Sequence, residues 1–174
     1  MRLFVNVLGF QIAWWACIAG VGHGFELAAL ALCVALASLH VLFAHQPRQE
    51  IKLAATALIV GVVVDSVLQA LSVTQFYGWA LGPLSPFWLW MLWVLFAMTL
   101  NASLGFLQTK SLWLSAWLGA VFGPLTYFAG AQWGAASLQS SVFNLGLIAV
   151  MWMLALPLLV YMAQHLFTSP QGLT

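Results

Sequence analysis

Residues 51–72 (IKLAATALIVGVVVDSVLQALS) form an apolar run long enough to cross a bilayer, with one carboxylate, Asp65, inside it. A spanning helix needs about 20 apolar residues, and an ionised side chain near its centre costs at least about 2.5–3.5 kcal/mol. Asp65 therefore needs a partner, a proton or a water-filled cavity. The chain as a whole agrees with this setting. Of 174 residues, 64% are hydrophobic and 4% charged, and the mean hydropathy is +1.05. Soluble domains carry roughly 25% charged residues, so this composition indicates an integral membrane protein. Four basic and three acidic residues are too few for a nucleic-acid footprint or a polybasic lipid-binding segment. Cys17 and Cys33 lie in apolar runs without metal-ligand spacing and read as core residues.

Hydrophobic runs and breakers predict an all-α fold: a polytopic, compact bundle of six transmembrane helices in one membrane domain covering 1–174. The helices are expected near 3–20, 25–44, 51–72, 87–107, 112–129 and 142–166. The first run is too long and too rich in Trp and Gln for a cleaved signal peptide and is read as a retained helix. Glycines at 20, 22 and 24 are read as the first turn, and Pro47 as the stop after the second helix. The uncharged connection VTQFYGWALGPLSP suits an aromatic-rich interface, Ser141 is a predicted N-cap, and the tail TSPQGLT is expected to fray. Arg2, Arg48, Lys52 and Lys110 all fall on one side of this topology, which places both termini in the cytoplasm.

At about 1.5 Å per residue, Asp65 lies about 10 Å below the outer end of its helix. Gly61, Asp65 and Gln69 share a face at intervals of four, with Gly61 leaving room for a close neighbour or a ligand. On the fifth helix, Trp113, Trp117, Ala120, Pro124 and Tyr127 follow three-and-four spacing. The polar and aromatic inventory of the outer half suggests a cavity whose ligand-binding residues are Asp65, Gln69, Gln11, Trp14, Trp15, Trp90, Trp93, Tyr127 and Glu26. The competing interpretation makes Asp65 a structural lock, hydrogen-bonded to Gln11, Tyr127 or an indole. Trp79, Trp88 and Trp133 are assigned to the interfacial belt, and Trp14, Trp15, Trp93 and Trp152 to cavity wall or core. His40 and His45 point about 140° apart on one helix, so no metal site is read, and no cofactor is implied. Hydrolytic chemistry has no supporting motif.

The segments NVLGFQIAWWACIAG, VVDSVLQ, PFWLWMLWVLFAMTLNASLGFL and GPLTYFAGAQWGA together resemble a bacterial family called domain of unknown function 2878, over nearly the whole chain. The resemblance implies a small, multi-pass protein of the bacterial inner (cytoplasmic) membrane and a link with membrane-lipid modification or envelope stress. It supplies no catalytic residues. Three functional expectations follow. The first is a membrane protein that binds or moves an apolar or lipid-like small molecule, with membrane lipid as its partner. The second is a small intramembrane enzyme or accessory subunit in fatty-acyl modification, using Asp65 with Tyr127 or Glu26 for proton chemistry. The third is a scaffold for a membrane partner, such as a lipid-modifying enzyme or a second copy of the chain.

Overall fold

The computed structural model describes residues 2–167, so the tail at 168–174 lies outside the described residues. Its elements in chain order are α1 (Arg2–His23), α2 (Glu26–Leu42), α3 (Pro47–Ala70), β1 (Thr74–Phe76), α4 (Phe87–Thr99), a 3₁₀ turn (Gly105–Thr109), α5 (Leu112–Gln132), β2 (Ala136–Leu138) and α6 (Val142–Phe167). The fold is helical, and four helices are long and apolar enough to cross a membrane: Leu3–His23, Pro47–Ala70, Leu112–Gln132 and Val142–Leu166. These mark a membrane protein. The other two, α2 and α4, are shorter, at 17 and 13 residues.

Several helix ends differ from the sequence expectation, each for a local reason. α1 continues through Gly20 and Gly22 and breaks only at Gly24, whose φ of +77° suits glycine. Gly20 instead lets α2 approach, since a Cβ there would lie 3.0 Å from that of Ala29. Pro47 opens α3 rather than merely ending what precedes it, because its fixed φ and missing N–H suit the first helical turn. Ser141 caps α6 as expected, its Oγ accepting the Asn144 N–H at 3.1 Å.

The largest departure is the fourth helix, expected to run to residue 107 but ending at Thr99. Thirteen residues span only about 20 Å, short of a hydrocarbon core of about 30 Å. The chain then turns inside the protein, with Leu100 and Leu107 buried. Irregular backbone at such depth survives only where its polar groups are met by protein. Gln108 Nε2 donates to the Leu100 carbonyl at 2.7 Å, and Asn6 Oδ1 accepts the Ser103 N–H and hydroxyl. Asn101 and Ser103 therefore belong to the helix end and not to its shaft.

The long connections also pair with each other. β1 and β2 form a two-stranded antiparallel sheet with Thr74 opposite Leu138, Gln75 opposite Ser137 and Phe76 opposite Ala136. This sheet joins the loops after α3 and α5. α4 packs against α1, α2 and α3, whereas α5 packs chiefly on α6, which also contacts α3. α1 and α5 flank a gap with no substantial packing between them.

Candidate functional site

The site begins with Asp65, whose side chain is fully buried. Tyr127 of α5 donates its hydroxyl to Asp65 Oδ1, and Trp93 of α4 donates Nε1 to Oδ2 at 2.8 Å. One carboxyl group thus joins α3, α4 and α5. Gly61, one turn earlier on α3, receives the Trp93 ring, because a Cβ there would stand 2.1 Å from Trp93 Cγ. On its other side Trp93 stacks on Trp152 of α6, with centroids 4.7 Å apart and planes at 19°. Trp152 in turn lies against Gly123 and Gly119 of α5. Two indoles are layered between two helix backbones, as glycine faces permit.

In front of this layer lies a cavity of about 590 Å³, within the usual size range of small-molecule sites. Its back wall is Leu92, Trp93 and Phe96 of α4 with Trp152 and Leu156 of α6. Phe10, Gln11, Trp14, Trp15 and Ile18 of α1 form one side, and α5 forms the other from Leu118 to Gly130, a rise of about 18 Å. Phe76 and Ala136 from the small sheet cover one end, while Leu104, Phe106 and Leu107 from the irregular segment form the opposite end. The sheet and the helix break that sequence reading missed are thus the two ends of the cavity. Exposed Gln11, Trp15, Phe122 and Leu125 line the gap between α1 and α5, so the cavity opens sideways.

Of the nine residues expected at the site, Gln11, Trp14, Trp15, Trp93 and Tyr127 line this cavity. Asp65 sits behind Trp93 and Tyr127, held by them and not presented to the space. Glu26 reaches the loop between β1 and α4, where both carboxylate oxygens accept the Trp79 N–H at 2.9 and 3.0 Å. Trp90 donates Nε1 to Ser85 Oγ at 3.0 Å, which pins the same loop. Gln69 is half-buried with Oε1 unpaired, also away from the cavity. Helical spacing had found the right face for some of these residues but not their depth. Trp113 and Trp117 turn outward and are exposed, because the α5 face toward the cavity is that of Leu118 and Phe122. Trp79 and Trp133 are exposed, as a belt requires, whereas Trp88 is buried, bonded to the Tyr77 carbonyl at 2.8 Å and part of the cavity wall.

Among residues with no assigned role in the sequence reading, Glu50 is buried at the other end of α3. Asn101 Nδ2 donates to it at 3.2 Å and His40 Nε2 stands 3.3 Å away. Asn101 also accepts from Gln108, so this network braces the segment that closes the cavity at the end away from the small sheet. A lone acidic residue near a basic loop gave no sign of that in sequence. The pair Gly119 and Gly123 did carry a signal, the four-residue spacing that brings helices into close contact.

The cavity lining contains no Asp, Glu, Lys, Arg or His. Apart from indoles, its polar side chains are Gln11, Thr126 and Tyr127, and two of these are engaged: Thr126 with the Gly123 carbonyl and Tyr127 with Asp65. Gln11 makes no hydrogen bond among the described residues. The arrangement suits binding of an apolar molecule. Among the described residues, no three metal-binding side chains gather.

No curated protein and no solved structure matches the chain. A family model does match, across residues 3–158. By that match the chain belongs to the family described as Protein of unknown function (DUF2878).

Proposed function

We propose that this protein binds, or moves within the bilayer, an apolar lipid-like small molecule held between α1, α4, α5 and α6. The observation that carries this reading is the aromatic-walled cavity of about 590 Å³ that opens sideways between two apolar helices. Asp65 serves it indirectly, by holding Trp93 and Tyr127 as parts of the wall. We further propose that the chain is one membrane-embedded unit crossing the bacterial inner membrane six times, with both termini in the cytoplasm. Bonds from Asn6 to Met98 and Ser103, and from Asn101 to Glu50, support this by gathering the ends that carry Arg2, Arg48, Lys52 and Lys110. The other end gathers the uncharged loops through β1, β2 and the Glu26 contact.

The test is mass spectrometry of small molecules retained by detergent-purified protein, comparing wild type with Leu118→Trp, which fills the cavity from α5. Wild type is expected to retain an apolar species at about one per chain, and the variant to lose most of it, as displacement from a single filled site requires. Equal retention by the two proteins at equal thermal stability contradicts the reading.

A further inference from the structure

Resting on that reading, the distribution of polar groups around the cavity narrows the ligand. A phospholipid or fatty-acid carboxylate brings a charge that needs a cation or several donors, since a buried charge must be paired. None of the lining residues is charged, and Asp65 is sealed behind its two donors. The cavity does offer donors without partners. Gln11 and Trp14 are three residues apart on α1 and so lie on one face, and neither side chain makes a hydrogen bond among the described residues. Across the cavity, Trp152 is part of the wall, but its Nε1 is wholly buried beside the Tyr127 side chain and is not presented to the space. Gln11 and Trp14 can each donate, and the indole cannot accept.

We infer that the cavity takes an uncharged lipid carrying an acceptor oxygen, such as an ester or ketone carbonyl, with its hydrocarbon along the aromatic wall and its oxygen facing Gln11 and Trp14. Such a molecule meets both unpaired donors while adding no charge. It also fits a sideways opening, because a neutral lipid reaches the middle of the bilayer where a charged headgroup is held at the surface.

Native mass spectrometry of the full chain in detergent tests this with three probes: a diacylglycerol, the phosphatidylglycerol with the same two acyl chains, and hexadecane. The diacylglycerol is expected to form a saturable single adduct, with each of the other two at least about tenfold weaker, the equivalent of one neutral hydrogen bond or more. Gln11→Leu and Trp14→Phe should each weaken the diacylglycerol adduct several-fold and leave hexadecane unchanged. Both variants keep an apolar side chain at the membrane, and unaltered hexadecane binding shows that the cavity is intact. Phosphatidylglycerol binding as tightly as diacylglycerol, or hexadecane doing so, overturns the inference but leaves the apolar-ligand reading in place. Saturable adducts with none of the three overturn both.

Discussion

Asp65→Leu should lower the unfolding free energy by about 2–6 kcal/mol, roughly 1–3 for each of two buried donors left without an acceptor. The substitution strands two buried donors, the Tyr127 hydroxyl and Trp93 Nε1, that share this one carboxyl group. Asp65→Asn should cost less, about 1–2 kcal/mol, because its carbonyl can still accept from Trp93 while the Tyr127 hydroxyl turns to accept from the new amide. Adding Tyr127→Phe to Asp65→Leu should then recover part of the loss, since one stranded donor is removed with its acceptor. Thermal or denaturant unfolding in detergent measures all three. The order wild type, Asn, Leu is expected, with the double variant above Leu alone. An Asp65→Asn protein of wild-type stability that no longer retained its lipid would instead put the carboxyl group in contact with the ligand.

Gly119→Ala is expected to be nearly as damaging, although it adds one methyl group. A Cβ at this position would lie 2.3 Å from the Trp152 carbonyl oxygen and 2.8 Å from its carbon. Those are backbone atoms, so α5 and α6 must separate by about 1 Å before ordinary contact distance is restored. Overpacking of this kind costs typically about 1–3 kcal/mol. The displaced element is the wall of the cavity, so ligand retention should fall with stability. Gly146→Ala is the matched control: nothing lies within 4 Å of a Cβ there, and the residue is in α6. In that helix, alanine should stabilise by up to about 1 kcal/mol. Melting temperatures of the two variants should therefore move in opposite directions, and a neutral Gly119→Ala would show that α5 and α6 do not pack this closely.

The contrast between Gly119 and Gly146 also shows what sequence does and does not reveal. The four-residue spacing of Gly119 and Gly123 was not read as a close-approach face, and only tertiary packing shows that Trp152 fills it. Gly61 was legible as a gap beside Asp65, and its occupant is the Trp93 ring rather than a ligand. For Asp65 itself, the expense of an acid in an apolar helix singled out the residue and left lock and ligand anchor both open. Helical periodicity gives a direction around the axis, and it brought Tyr127 into the short set of partners. It does not reveal that two donors already use both carboxyl oxygens. Glu26 was misplaced for a related reason: the Trp79 amide that it holds lies 53 residues away.

The ends of the cavity were hidden for different reasons. β1 and β2 are three residues each and far apart in sequence, too short to show alternation. The end of α4 at Thr99 falls inside an apolar run that hydropathy reads as continuous. It depends on Asn6 and Gln108 reaching the freed backbone, which the sequence cannot show.

Photolabelling with a diazirine-bearing diacylglycerol in a bilayer, followed by peptide mapping, tests the central claim most directly. Saturable labels should concentrate on the facing walls, at Phe10 and Trp14 of α1, Phe122 of α5 and Trp152 of α6, and unlabelled diacylglycerol in excess should suppress them. Labels confined to outward residues such as Phe4, Ile59 and Trp113, undiminished by competitor, would mean that lipid only bathes the helices and that no molecule occupies the space between them.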